Sequence, residues 1–379
     1  MTTATSALGR ELQLVHAAQW LYTVNDEPFV PGEGDPYARL VRGFDEDTDQ
    51  VLASIAERGP LWRSRLDAWV GTDHETTRRL LNHPDTAVAA AVPQAARWLP
   101  ETDRRRSRGL IRELAYRGGV RAVGAYEGRL VEETGRAVDR LAPGPADLVE
   151  DFVAPLTASV YAGLLAVPNG RRAEFAAQLG SVAPAVDALL CPQTLTVTRR
   201  LATGLPRLRE IVAGQGHAEA DLILAVAGAR AAADLLGNAL AVLLERPAAW
   251  DRLRAEPVHA AQVVAEVLRL QPPWRAHPLT ALAPIEVGGA RIEAGESVTA
   301  VTAAADRRPA HPSASANLAA PYGRLLVEAA RAQTERALVA LAARFPRVLP
   351  DGGPVRARRA PVTRRLVRLS VRLGEEETR

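Results

Sequence analysis

The sequence contains no lysine, and all 47 of its basic residues are arginine. We attribute this bias to a GC-rich genome rather than to a demand for arginine chemistry. Against 44 acidic residues, the arginines leave a formal net charge of only +3. A protein of this length that binds nucleic acid normally carries a larger positive excess, so the composition favours no nucleic-acid partner.

Cysteine is almost absent as well. The single cysteine, Cys191, excludes an internal disulfide framework and is typical of a reducing cytoplasm. Residues 1–6 show no basic region followed by an apolar run, so we predict a cytoplasmic protein without a secretion signal. The longest apolar stretch, residues 221–244, contains Arg230 and Asp234, which favours a buried helix over a membrane span.

Aromatic residues make up 4% of the 379 residues, whereas apolar residues make up 47% and alanine is abundant. This composition favours helix over sheet. We predict one domain over residues 1–379, with a helix-rich body and a small β subdomain near residues 40–72 and 283–302. The expected fold class is therefore mainly α with small β-sheets.

Residues 355–373 contain seven arginines and no acidic residue. Apolar and polar residues alternate over the second half of this segment, which predicts a basic C-terminal strand with one buried and one solvated face. The alternative is an anion-binding or partner-docking surface, which includes a DNA-binding surface. The arginines are Arg356, Arg358, Arg359, Arg364, Arg365, Arg368 and Arg372.

Three motifs follow one another between residues 262 and 346. Glu266 and Arg269 lie three residues apart on a predicted helix, close enough to pair, and two prolines end that helix at Pro272. Residues 285–292 alternate around a two-glycine turn, which predicts a β-hairpin. An Asp-Arg-Arg-Pro turn at residues 306–309 precedes the last long helix, which ends in Arg-Phe-Pro.

A helix of about 25 residues is predicted over residues 221–245, about 38 Å long. Residues 227–232 within it read Ala-Gly-Ala-Arg-Ala-Ala.

The order of these motifs resembles a bacterial cytochrome P450. In that family the central helix carries an acid and a threonine that manage oxygen, and a cysteine thiolate before the last helix ligates haem. Arg230 occupies the acid position here and Ala231 the threonine position, and Arg324 falls at the cysteine position. Neither Arg230 nor Ala231 supports proton delivery. The resemblance implies a cytochrome P450-like fold that lacks the cysteine ligand loop, has no catalytic residues and binds no haem or metal.

A closer resemblance is to the haem-free cytochrome P450-like proteins that assist glycosyltransferases of antibiotic pathways. It is carried by Leu-Gly-Arg at residues 8–10, Ala-Pro-Tyr-Gly at residues 320–323 and Arg-Ala-Arg-Arg-Ala-Pro-Val at residues 356–362. The resemblance implies a non-enzymatic partner that binds, stabilises and activates a transferase for a deoxyamino sugar on a macrolide or anthracycline-type polyketide. The expected assembly is a heterotetramer, and Glu266 with Arg269 would be retained as scaffold.

Residues 8–22 have helical spacing and contain Trp20 and Tyr22, residue types favoured at interface centres. We interpret them as a candidate contact with the partner; a first helix packed on the body is the simpler reading. Two other functions stay open. One is a haem monooxygenase with an unusual iron ligand, for which His311 is the nearest imidazole. The other is a pseudoenzyme that binds a polyketide or sugar nucleotide in the former haem cavity.

Overall fold

The computed structural model describes residues 34–43, 48–88, 104–307 and 321–374. Most of this part of the chain is helical, in agreement with the predicted class. The helices are α1 (Pro36–Arg42), α2 (Thr48–Glu57), α3 (His74–Asn82), α4 (Arg104–Gly118), α5 (Val120–Asp139), α6 (Ala154–Leu164), α7 (Arg172–Val182), α8 (Leu195–Val212), α9 (Ala218–Ile223), α10 (Ala229–Leu244), α11 (Pro247–Ala255), α12 (His259–Leu270), α13 (Thr302–Ala305) and α14 (Pro321–Arg344).

The strands are short and form four small sheets. They are β1 (Leu61–Arg63), β2 (Ala68–Gly71), β3 (Thr86–Val88), β4 (Gly144–Asp147), β5 (His277–Ala281), β6 (Ile285–Val287), β7 (Ala290–Ile292), β8 (Ser297–Ala300), β9 (Arg347–Pro350), β10 (Val355–Arg356), β11 (Leu366–Arg368) and β12 (Ser370–Gly374). The largest sheet has the order β1-β2-β8-β5-β3.

This five-stranded sheet joins distant parts of the chain. Strand β2 pairs in parallel with β8, with Ala68 opposite Ser297, and β5 pairs antiparallel with both β8 and β3. The two segments predicted as a β subdomain therefore both contribute strands. Residues 40–57 differ from that prediction because α1 and α2 occupy most of them.

The predicted hairpin is present as β6 and β7, with Ile285 opposite Ile292. Its turn residues Gly288 and Gly289 have φ of 59° and 79°. Two successive positive φ angles define the tight turn that matches strand twist, and glycine adopts them without strain.

The prediction of one basic strand over residues 355–373 is wrong. Strands β10 and β11 pair with each other, whereas β12 pairs with β4 and β9 in a separate sheet. Between β10 and β11 the chain turns back on itself, and Arg359 and Arg364 adopt φ of 56° and 49°. Alternation of apolar and polar residues over a short segment cannot reveal such a reversal of the chain. The reversal depends on the polar groups that the turn contacts in the core.

Helix α10 lies at the centre of the core, packed against α6, α12 and α14. Its small residues allow close approach of its neighbours: a Cβ at Gly237 would lie 3.2 Å from a methyl group of Leu366. Almost every residue of α10 is buried. Within the described ranges, no helix has both the length and the apolar character needed to cross a membrane.

Candidate functional site

The helical turn that precedes α10 is a π-helix, residues Leu224–Gly228. The segment Ala-Gly-Ala-Arg-Ala-Ala therefore spans the junction between this π-helix and α10. A Cβ at Gly228 would lie 3.0 Å from the ring of Tyr161, so glycine permits the close contact between this junction and α6. Single π turns are rare inside helices and are frequent at functional sites.

Arg230 and Asp234 form a salt bridge on α10. Arg230 Nε and Nη2 donate to the two Asp234 carboxylate oxygens at 2.9 and 2.7 Å. The Asp234 side chain is fully buried and that of Arg230 is 15% exposed. Ala231, at the former threonine position, is buried too. The position that carries an acid in a cytochrome P450 is thus held by a cation that is committed to its own counterion.

Asp187 is a second buried acid, and it holds the turn between β10 and β11. Its Oδ1 accepts from the backbone N–H groups of Val362 and Thr363 at 3.0 and 2.9 Å, and its Oδ2 accepts from Thr363 Oγ1 at 2.7 Å. Arg365 Nε lies 3.9 Å from Asp187 Oδ2. This role was not predicted from the sequence, although Asp187 is the one acid inside the apolar run of residues 182–191.

The two acids share one electrostatic environment. Burial raises the pKa of Asp234 to about 6, and this effect outweighs the opposing field and hydrogen bonds of Arg230. Burial also raises the pKa of Asp187, against the opposing field of Arg365 and hydrogen bonds from Thr363. The field of Asp187 helps to raise the pKa of Asp234, and the field of Arg230 acts to lower the pKa of Asp187. The fields of both acids also oppose the lowering of the Arg365 pKa by burial. Arg230, Asp234, Asp187 and Arg365 therefore form one buried charge cluster.

The seven C-terminal arginines do not form one solvated face. Arg358, Arg368 and Arg372 are exposed, whereas the other four are partly buried. Arg356 Nη1 donates to Asn238 Oδ1 at 3.0 Å and to the carbonyl oxygen of Arg364 at 2.7 Å. Because four of the seven arginines are partly buried, the segment does not present the continuous exposed basic face that nucleic-acid binding needs.

The predicted scaffold pair is not what the structure shows. Glu266 accepts from Arg246 Nη1 at 3.0 Å, with side chains 43% and 55% exposed, and Arg269 is exposed. An exposed ion pair contributes little to stability. The three-residue spacing predicted both side chains on one face of α12, but Glu266 pairs instead with Arg246, which directly precedes α11.

Cys191 does not fit the role of a haem ligand. Its thiol is fully buried and lies 3.6 Å from the carbonyl oxygen of Pro192. Burial raises the pKa of this thiol to about 12, and the thiolate is the form that ligates iron. The single cysteine of the sequence is therefore not set up as an iron-ligating thiolate.

Other predicted positions lie at the border of the described residues or outside it. The structure places Arg324 in the first turn of α14, and its side chain is not among those described. Trp20, Tyr22 and His311 fall outside the described residues.

The described surface includes an apolar groove between α5, the start of α12, and α14. Its volume is about 630 Å³. Val120 and Val258 line it and are 70% and 72% exposed, and Tyr116, four residues before Val120, is 72% exposed. Exposed apolar side chains that line one groove make this surface a candidate contact site. Below, this surface is called the α5–α14 groove.

No protein-family model matches the chain. It is similar to several curated proteins over nearly its whole length. It is 34% identical to DesVIII of Streptomyces venezuelae, covering 94% of this chain and 91% of DesVIII. It is 33% identical to TylM3 of Streptomyces fradiae (97% and 93% covered). It is 31% identical to EryCII of Saccharopolyspora erythraea, a cytochrome P450 family protein (98% and 99% covered).

The fold is similar to that of solved cytochromes P450. The open structure of EryK from S. erythraea superposes with a TM-score of 0.73 at 22% identity, covering 89% of this chain and 100% of EryK. A ligand-free cytochrome P450 of Mycobacterium smegmatis gives a TM-score of 0.74 at 20% identity, covering 89% and 99%. At these identities the likeness establishes the fold alone. The sequence relatives establish the family: the chain belongs to the cytochrome P450-like auxiliary proteins of glycosyltransferases, with DesVIII, TylM3 and EryCII.

Proposed function

We propose that this chain is a non-catalytic partner that binds, stabilises and allosterically activates a glycosyltransferase of its own antibiotic pathway. The transferase would attach a deoxyamino sugar to a macrolide or anthracycline-type polyketide. The observation that carries the proposal is the Arg230–Asp234 salt bridge with Ala231 beside it. Arg230 and Ala231 occupy the positions of the oxygen-handling acid and threonine, and neither side chain can transfer a proton near neutral pH.

Activation of this kind needs differential affinity rather than chemistry. A protein that binds the competent conformation of its partner more tightly than other conformations raises the population of that conformation. A tenfold shift in that population needs a difference of about 1.4 kcal/mol in binding free energy. A rigid core such as that around α10 suits this role, because a partner that deforms on binding loses free energy to its own rearrangement.

Haem has no place in this proposal. The chain's one thiol is buried and protonated at neutral pH, and a guanidinium occupies the acid position on the central helix. We therefore propose that the protein works without haem and is not an enzyme. Purified protein is expected to show no Soret absorption, even after incubation with haemin; a Soret band that persists through gel filtration would instead support a monooxygenase with an unusual ligand.

Two surfaces are candidates for contact with the transferase. One is the N-terminal segment with Trp20 and Tyr22, and the other is the α5–α14 groove. The groove combines exposed Val120 and Val258 with ion pairs at its edge, such as Glu127 with Arg336. An apolar centre with a charged rim is the usual anatomy of a protein–protein contact. The assembly we propose is a cytoplasmic heterotetramer with two copies of each protein.

Co-expression with a glycosyltransferase of the same antibiotic pathway tests the proposal. The transferase is expected to be produced in larger soluble amount, to co-purify with this chain and to transfer sugar faster than alone. Light scattering of the purified complex measures its stoichiometry. Equal stability and turnover of the transferase with and without this chain would rule the proposal out.

A further inference from the structure

Arg275 is a buried cation with a fixed position between α12 and β5. Its side chain and backbone together are 7% exposed. Its N–H donates to the carbonyl oxygen of Val362 at 2.8 Å, and its own carbonyl oxygen accepts from the N–H of Ala303 at 3.0 Å. Thr302 Oγ1 also donates to that carbonyl oxygen, at 3.2 Å. Two separate segments therefore hold the backbone from which the guanidinium projects.

The guanidinium of Arg275 is only partly satisfied. Nη2 donates to the carbonyl oxygen of Pro361 at 3.1 Å. Nε and Nη1 are buried and have no hydrogen-bond partner among the described residues. A buried guanidinium with unused donors is strongly unfavourable, because its N–H groups have lost water without gaining an acceptor. Folded proteins rarely leave such donors unused unless another group accepts from them.

The positive charges around Arg275 increase the electrostatic stabilisation that a bound anion would provide. Burial first, and then the fields of Arg364 and Arg356, lower the pKa of Arg275 to about 9. It is therefore still a cation at neutral pH. Arg307 adds a further positive field; its Nη2 donates to Asp49 at 2.5 Å, whereas its Nε is buried without a partner among the described residues.

Asp187, the acid that opposes these positive fields, already accepts hydrogen bonds from other groups. Asp187 favours the charged form of Arg275, but both its oxygens accept hydrogen bonds from Val362 and Thr363. Arg356 directs Nη1 to neutral oxygens, those of Asn238 and of the Arg364 backbone. The positive charge at Arg275 thus has no carboxylate of its own within the described structure, unlike Arg230.

We propose that Arg275 binds the oxyanion group, carboxylate or phosphate, of a small-molecule ligand, with Arg307, Arg356 and Arg364 contributing positive potential. This inference is independent of the proposed activation of a glycosyltransferase. Oxyanions accept several charge-assisted hydrogen bonds at once, which is what two unused guanidinium nitrogens require.

Thermal unfolding of the full chain, with inorganic phosphate or acetate as probe, tests this assignment. Ionic strength is held constant with sodium chloride, so that general screening does not change. The unfolding midpoint is expected to rise with phosphate, with acetate or with both, because an anion that binds only the folded state stabilises it. A response to phosphate alone identifies a phosphate ligand, and a response to acetate alone identifies a carboxylate ligand.

Arg275→Met keeps the length of the side chain and removes the charge. Its apparent affinity for the responding anion is expected to fall by at least about tenfold. Arg368→Met removes an exposed arginine of β11 and is expected to keep the wild-type response. Where Arg275→Met does not fold, Arg275→Lys keeps the charge but loses the planar donors, and weaker anion binding is expected there too. No response of the wild-type protein to either anion, or an unchanged response in the Arg275 variants, would overturn the proposal.

Discussion

Arg230 and Asp234 lie one turn apart on the central helix, and their side chains form two hydrogen bonds of 2.9 and 2.7 Å in a buried setting. In this position a cytochrome P450 has an acid that delivers protons. Here that position carries Arg230, which forms a salt bridge with Asp234, four residues further along the helix. The pair therefore turns a catalytic position into a structural one, and its loss is expected to affect stability rather than chemistry.

Replacement of Arg230 by methionine tests this structural role. It leaves the Asp234 carboxylate buried without its counterion, so the free energy of unfolding is expected to fall by about 3–5 kcal/mol. Urea denaturation measures the change. Arg78→Met is the matched control, because Arg78 pairs with Glu75 on a helix surface where both side chains are at least half exposed; its cost should stay below about 1 kcal/mol. Similar losses in the two variants would contradict the structural role.

Asp234 makes stability depend on pH. Its pKa in the folded protein is about 6, above the ordinary value of 3.8, so between these values the folded state binds the proton more tightly. The stabilisation from the protonated carboxyl is complete below pH 3.8 and is lost as the pH rises through 6. Relative to Asp234→Asn, which cannot titrate, the wild-type protein should lose about 3 kcal/mol between pH 4 and pH 7. Parallel stability curves for the two proteins would show that Asp234 titrates normally.

Asp187 is expected to determine whether the C-terminal turn stays in place. Asp187→Ala removes the acceptor of two backbone N–H groups and one hydroxyl, at a cost of about 3 kcal/mol or more. Hydrogen exchange should accelerate first at Val362 and Thr363. Asp351→Ala is the control in the same C-terminal region, because that side chain is 51% exposed. Unchanged exchange at Val362 and Thr363 in Asp187→Ala would mean that other contacts hold the turn.

Cys191 is expected to be unreactive in the native protein. Its thiol is fully buried and its pKa is about 12, so almost no thiolate is present at pH 8. A thiol-specific reagent should label the protein only as fast as it unfolds, and the rate should increase with urea. The urea-denatured chain, in which the single thiol is exposed, supplies the reference rate. Rapid labelling of the native protein would mean that residues near Cys191 open readily.

Variants in the two candidate surfaces can locate the contact with the transferase. We expect Trp20→Ala with Tyr22→Ala, and separately Val120→Asp with Val258→Asp, to reduce co-purification, because each change removes or charges an apolar contact. Val367→Asp is the control for the groove, since Val367 is a 41% exposed valine on β11. A surface whose variant keeps wild-type co-purification and melts at the wild-type temperature is not part of the contact.

The sequence by itself determined the fold class and the family. The motifs of residues 262–346 and the segment of residues 227–232 are recognised by the spacing of neighbouring residues. A helix or a hairpin fixes that spacing locally, without help from the rest of the fold. The hairpin at Gly288 and Gly289 was predictable for the same reason, because its turn needs two residues that accept positive φ. The loss of the acid and the threonine was likewise visible in the residues at two positions.

Only the tertiary structure decided which charges meet. Glu266 pairs with Arg246 rather than with Arg269, and Asp187 reaches Thr363 across 176 residues. Two nitrogens of Arg275 find no acceptor among the residues that the structure describes. Such pairings depend on distance in space and on the removal of water, and neither follows from spacing along the chain. The same physical reason explains the C-terminal arginines: alternation predicted one strand, whereas buried acceptors on α10 and at Asp187 turn the segment inward.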